Sequence, residues 1–189
     1  MEIVPLIKGT HVMGEAGETG TNITDHTGSV TFIQNGITNI LIDVGGRGRL
    51  PEIQSKLAER KVTLDNIDII ILTHFHLDHA FNVAAFPKAR VIGWNHEWNE
   101  KSTFRFKDIE GREISDGISL LSTPGHTPEH LSVVAKGSNG KRIVIAGDAI
   151  NNHYIEKKDV SAYAFDKVLY QKSADSLMEI SDEFILGHG

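Results

Sequence analysis

The sequence predicts an α/β fold made of two mixed halves, each with buried sheet strands covered by helices. Three observations carry this expectation. Residues 67–72 and 142–146 are short apolar runs rich in β-branched side chains, the pattern of strands buried on both faces. Residues 51–61 and 166–180 have helical spacing: Ile53 and Leu57 lie four apart, and Leu169, Ser173, Leu177 and Ile180 share a face. Strand and helix signals alternate in both halves, and no repeat, low-complexity segment or linker separates them. The 189 residues suit one compact domain, 1–189, with a full-sized core.

The elements follow in order. Residues 29–34 and 37–43 are β-branched-rich runs joined by Asn35-Gly36, a two-residue hairpin signal. Gly45-Gly46-Arg47-Gly48 breaks the chain, and Pro51 suits the first turn of the helix that follows. After the strand at 67–72, a second helix is expected from around Asp78 to near Phe86, because Pro87 stops it. Residues 89–93 and 118–122 read as strands. Residues 131–135 and 142–146 read as a hairpin around Gly137-Ser138-Asn139-Gly140, and residues 184–186 as a last short strand.

Composition narrows the function. The net charge is −6, which argues against a broad basic face for nucleic acid but not against a local anion site. There is no cysteine, hence no disulfide, thiolate ligand or cysteine nucleophile. The N-terminus lacks the charged and apolar regions of a signal peptide. No apolar run approaches the ~18 residues of a membrane span. A soluble cytoplasmic protein without membrane contact is expected, with a homodimer left open.

The chemistry lies in one spacing. Thr73-His74-Phe75-His76-Leu77-Asp78-His79 is followed by Pro124-Gly125-His126, Gly147-Asp148 and Gly187-His188-Gly189. His74, His126, Asp148 and His188 each follow a predicted strand, and open β/α sheets commonly bind ligands beyond strand ends. His74 and His76 are two apart, so extended backbone sends both imidazoles to one side. Asp78 and His79 are adjacent and must turn towards a second position. A lone histidine is usually an ordinary surface or core residue, and HxHxDH can arise by chance. The later Gly-His, Gly-Asp and Gly-His placements make a metal site the better reading. His11, His26, His96 and His153 have no such placement. His130, four after His126, is balanced between a supporting and a structural role.

These motifs, with Ile42-Asp43-Val44-Gly45, resemble the metallo-β-lactamase superfamily across most of the chain. The resemblance implies an αβ/βα four-layer sandwich of two mixed sheets flanked by helices. It implies that His74, His76 and His126 hold one metal, that Asp78, His79 and His188 hold another, and that Asp148 bridges them. Asp43 would stand behind the ligands and order nearby loops. The expected function is a binuclear metal-dependent hydrolase. A metal-bridging hydroxide would cleave an ester, thioester, lactone or phosphodiester, with Asp78 and Asp148 as catalytic carboxylates. Zinc is the default, and iron or manganese is compatible with a His/carboxylate set. Two divalent ions, two carboxylates and a hydroxide leave the site formally positive, so a small, anionic substrate or transition state is expected.

Departures from the family's branches sort the substrates. Class B1 β-lactamases carry a cysteine ligand that this chain lacks. Thr123-Pro124-Gly125-His126-Thr127-Pro128 resembles glyoxalase II, but the helical C-terminal domain of those enzymes is not in this sequence. Homoserine-lactone hydrolases place a tyrosine three residues after the bridging aspartate, where Asn151 stands here. A likeness to an animal branch described as ribonucleases makes RNA an alternative substrate. The persulfide dioxygenases, with one iron on the equivalents of His74, His126 and Asp148, are a second alternative. Trp94, Trp98, Phe104 and Phe106 are either a wall beside the cleft or, slightly favoured, a satellite core or dimer contact. The Gly-rich stretch 14–28 is expected to border the site.

Overall fold

The computed structural model describes residues 1–137 and 139–189. Its elements are β1 (Glu2–Ile7), β2 (Thr10–Gly17), β3 (Gly20–Thr27), β4 (Val30–Asn35), β5 (Thr38–Ile42), α1 (Leu50–Ala58), β6 (Ile69–Leu72), α2 (Leu77–Ala80), β7 (Arg90–Gly93), β8 (His96–Trp98), β9 (Thr103–Arg105), β10 (Glu113–Ser115), β11 (Ile118–Ser122), β12 (Leu131–Lys136), β13 (Arg142–Gly147), α3 (Asn152–Lys157), α4 (Lys167–Ile180) and β14 (Glu183–Leu186). A seven-stranded sheet has the order β1-β4-β5-β6-β7-β8-β9, and a five-stranded sheet the order β10-β11-β12-β13-β14. β5, β6 and β7 are parallel, as are β13 and β14; the other neighbours in both sheets are antiparallel. β2 and β3 form a separate two-stranded arm.

Strand alternation builds the layers. Ile69, Ile71, Ile40 and Ile42 face Leu120, Val133 and Ile145 of the other sheet in a core between the two. The intervening Ile70, Leu72 and Leu41 face outward onto Ile53 and Leu57 of α1. Val144 and Ala146 pack outward against Tyr154 of α3 and Tyr170, Ala174 and Leu177 of α4. Period-two alternation along each buried strand thus feeds two cores at once, and the expected helix-sheet-sheet-helix sandwich results.

The hairpin β4–β5 forms, but its two-residue turn is Gly36-Ile37, one residue later than expected, because Asn35 still pairs with Thr38. β12 and β13 pair as expected, and Ser138 of their turn lies outside the described residues. Two further expectations need correction. The second helix is a single turn, α2, followed by a 3-10 turn at Val83–Ala85. Asn82 departs from helical geometry between them, and its amide donates to the carbonyls of Val44 (2.8 Å) and Gly46 (2.9 Å), drawing the chain inward. On α4 the buried stripe is Tyr170, Ser173, Ala174 and Leu177, and Leu169 is exposed. The strands that carry the candidate ligands come from both sheets. β11, β13 and β14 run the same way in the five-stranded sheet, whereas β6 belongs to the other sheet. Backbone bonds join their ends: Leu131 N–H donates to Thr73 C=O and Gly187 N–H to Gly147 C=O, each at 2.8 Å. Among the described residues no helix is long and apolar enough to cross a membrane.

Candidate metal centre

The rim where the two sheets meet collects all seven expected ligands. His74 leaves the end of β6, His76 caps α2, and Asp78 and His79 lie within its one turn. His126 sits in the loop after β11, Asp148 follows β13, and His188 follows β14. One nitrogen each from His74, His76 and His126 lies within 4.8 Å of the others. His79 Nε2 and His188 Nε2 are 3.4 Å apart, and Asp78 Oδ2 is 3.4 Å from the first and 3.2 Å from the second. The Asp148 carboxylate lies between the two groups. Its Oδ2 is 3.4 Å from His126 Nε2, 3.9 Å from His74 Nε2 and 3.4 Å from His188 Nε2, and its Oδ1 is 3.4 Å from His79 Nε2.

Hydrogen-bond accounting shows what these nitrogens present to one another. Thr73 Oγ1 donates its one hydrogen to Asp43 Oδ2 (2.8 Å), so the 3.0 Å contact with His74 Nδ1 requires His74 to donate. His79 Nδ1 faces Asp43 Oδ2 at 2.8 Å, and His188 Nδ1 faces the Thr10 carbonyl at 3.1 Å; both partners only accept. All three rings therefore keep Nδ1–H on an outer partner and turn Nε2 to the centre, where it can meet a cation once it has lost any proton. His74 Nε2 and Asp148 Oδ1 are buried with no hydrogen-bond partner. A buried ring nitrogen and a carboxylate oxygen without partners, among further ring nitrogens and carboxylate oxygens turned to the same point, fit a cation, and outer partners that set a ligand's tautomer are typical of metal sites.

Asp43 accounts for much of this order. It is buried at φ +57°, a left-handed conformation that Asp tolerates better than most residues. Its Oδ1 accepts from Thr73 N–H at 2.8 Å, and its Oδ2 accepts from Thr73 and His79. These contacts join Asp43 to the 73–74 turn and to the ring of His79. Gly187 packs directly on Asp148 Oδ1 and leaves no room for a Cβ.

Charge divides the set further in the metal-free state. Burial lowers the His74 imidazole, helped by the nearby charges of His79 and His130. Burial likewise lowers His126. Burial also pulls down on His188, but its bonds to Asp148 and Asp78 outweigh that and raise it to about 9. His79 behaves similarly: burial opposes, and the charges of Asp148 and Asp43 raise it well above the usual value. Burial pushes the Asp78 carboxyl up, yet the His188 bond and the charges of His79 and His26 bring it down to about 2. Asp148 is held well below the carboxylate range by His79 and His188 against the effect of burial.

The centre opens into a cleft of about 670 Å³. The β2–β3 arm forms one wall with His11, Met13, Ile23 and His26, and Ile150 and Tyr163 are among the residues opposite. The arm comes from the Gly-rich stretch expected to border the site. His11, His26 and His153, which sequence reasoning set aside, also line the cleft. His26 Nε2 lies 3.1 Å from Asp78 Oδ2 and belongs to a third potential ligand group with Asp78 and His188. The pairing of His11 with His26 across the arm would have revealed both, but the sequence around them has weak strand signals. The aromatic segment goes elsewhere. Trp98 and Phe104 lie on paired edge strands β8 and β9, and Phe106 is buried in the core beneath Arg112. None of Trp94, Trp98, Phe104 and Phe106 lines the cleft.

Comparison with known proteins agrees with this architecture. The family model described as metallo-beta-lactamase superfamily matches residues 23–189. A Xenopus laevis protein named metallo-beta-lactamase domain-containing protein 1 is 25% identical over 185 residues, covering 95% of this chain and 78% of its own length. The chain spans 64% of the mouse and 58% of the human protein of that name. A Bacillus N-acyl homoserine lactonase is 29% identical over 124 residues, 59% of this chain and 50% of the lactonase. A solved N-acyl homoserine lactone hydrolase, with the product N-hexanoyl-L-homoserine at its catalytic metal centre, superposes with a TM-score of 0.74 at 20% identity. That alignment covers 98% of this chain and 91% of the hydrolase. Fold, convergent His/Asp groups and a family match over most of the sequence lead to one conclusion: the chain belongs to the metallo-β-lactamase superfamily of metal-dependent hydrolases.

Proposed function

We propose that residues 1–189 form one hydrolase domain that holds two divalent cations and opens an ester, thioester or lactone bond in a small molecule. The observation that carries this reading is the Asp148 carboxylate, within 3.4–3.9 Å of imidazole nitrogens from both ligand groups. His74, His76 and His126 would hold one ion, Asp78, His79 and His188 the other, with Asp148 shared. Zinc is the default for such a His/carboxylate set. Bound cations supply a nucleophile at neutral pH and polarise the scissile carbonyl. The chain's own residues do the rest. Asp78, a poor base at about 2, accepts hydrogen bonds at Oδ2 and orients the attacking water. Asp43 fixes His79 and the 73–74 turn, so the ligand rings stay in register.

The cleft wall supports a neutral substrate that becomes anionic only as it reacts. Ile23, Ile150, Val160 and Met13 supply apolar surface, and among the described residues no Lys or Arg lines the cleft. A polyanion such as RNA needs a cationic track for its phosphates. The solved neighbour is named a hydrolase of an N-acyl homoserine lactone, and an uncharged lactone is of the kind this cleft would suit.

Elemental analysis with a hydrolysis panel tests the reading. Two zincs per chain with turnover of lactones, esters or thioesters is the expected result. Selective RNA cleavage, or a single iron with oxygen uptake on a persulfide, would overturn it in favour of a nuclease or a dioxygenase.

A further inference from the structure

We propose that His130 is not a cation ligand but the positioning residue that aims Asp148, acting through a closed hydrogen-bond circuit with Thr123 and Ser132. The inference rests on the two-cation reading above.

His130 is buried beside the centre, its ring stacked on His74 at 5.0 Å and edge-on to His126 at 6.2 Å. By proximity alone it resembles an eighth ligand. Its hydrogen bonds exclude that role. Asp148 N–H donates to His130 Nε2 at 3.1 Å. His130 Nδ1 lies 2.9 Å from Thr123 Oγ1, Thr123 Oγ1 lies 2.9 Å from Ser132 Oγ, and Ser132 Oγ donates to the Ala146 carbonyl at 2.9 Å.

The ends of this chain fix every hydrogen in it. A carbonyl only accepts, so the Ser132 hydrogen goes to Ala146. Ser132 must then accept from Thr123, and Thr123 from His130 Nδ1–H. That leaves the Nε2 lone pair for Asp148 N–H, and the amide can only donate. Both ends therefore demand the same single tautomer. The one lone pair that His130 could offer a cation is already taken.

The two ends of the circuit flank one residue. Ala146 C=O and Asp148 N–H lie either side of Gly147, which has φ +54°. A Cβ there would come within 2.7 Å of Thr73 and 2.9 Å of His130 Nε2. The turn that carries Asp148 out of β13 is thus gripped on both sides by side chains of β12 and the loops flanking it. Buried circuits with every hydrogen assigned hold a backbone more firmly than isolated bonds. A displaced Asp148 would weaken both cation groups together, because it is the residue they share.

Stepwise cobalt(II) and zinc(II) binding, followed by chelator competition and by the visible spectrum of the cobalt protein, tests this. His130→Leu should weaken both cations together by ten-fold or more and alter the cobalt spectrum. His130→Gln, which can still accept from Asp148 N–H, should recover most of the affinity. Ser132→Ala, remote from the cations, should weaken both in the same direction by a few-fold, and it serves if His130→Leu does not fold. Wild-type affinity and spectrum in His130→Leu or Ser132→Ala would overturn the inference, as would loss of one cation alone. A wild-type protein that takes two cations while these variants do too would sink only this inference. A wild-type protein that takes none would sink the two-cation reading as well.

Discussion

Imidazole hydrogens distinguish the histidines of this chain more sharply than distance does. His79 and His188 each donate from Nδ1 to an oxygen that can only accept, and His74 to the Thr73 hydroxyl, whose own hydrogen goes to Asp43; all three so present Nε2 to the centre. His188→Ala should therefore lower affinity for one cation by at least ten-fold and leave the other near wild type, as read by competitive chelation. Proton release gives a second test. His188 is raised to about 9 in the metal-free protein, so it is protonated at pH 7 and must lose that proton to bind a cation. Cation affinity should rise with pH from 7 to about 9, and calorimetry in buffers of differing ionisation enthalpy should show protons released at pH 7. Without cations the sign reverses for stability. The contribution of His188 is complete below its unfolded pKa near 6.5 and disappears as pH rises through about 9. Asp43→Ala would strand three buried donors and remove the partner of His79. A loss of about 3–5 kcal/mol is expected in denaturant unfolding of the metal-free protein.

The candidate ligands His74, Asp148 and His188 were legible in the sequence because each follows the end of a strong local signal. Apolar β-branched runs stop at Leu72, Ala146 and Leu186, and a ligand follows within two residues. The arm was not legible for the opposite reason. Its strands have few apolar residues, its side chains are largely exposed, and nothing local shows that it folds back on His188. α2 was misjudged in length because the pull of Asn82 on the 44–46 carbonyls is a long-range contact. On the proposed reading, the arm and the residues opposite would form the wall that meets the substrate. Tyr163 is exposed opposite His11, with ring centroids 5.5 Å apart. Tyr163→Ala should raise KM several-fold with a smaller effect on kcat, since such a wall contributes uniform binding to ground and transition states.

In the whole molecule the centre is a joint between two sheets. His74 comes from the end of β6 in one sheet; His126, Asp148 and His188 come from ends in the other. Cations at this joint would bind the folded state and not the unfolded chain, so they would stabilise it by mass action. At a thousand times the dissociation constant this amounts to about 4 kcal/mol per ion. Chelation should lower Tm by about 8–16 °C for each ion lost, given ~2–4 °C per kcal/mol in a chain of this size. An unchanged Tm in a protein shown to have lost its metal would contradict the joint.

The cleft without lysine or arginine also has a kinetic consequence. Association with a charged partner is accelerated by a field that dissolved ions screen over about 10 Å at 0.1 M ionic strength. The proposed substrate is neutral, and among the described residues no Lys or Arg lines the cleft to add a steering field to that of bound ions. Encounter with substrate would be ordinary diffusion into an apolar pocket. Its kcat/KM should stay within about two-fold between low salt and half-molar potassium chloride, whereas a steered enzyme slows steeply over that range.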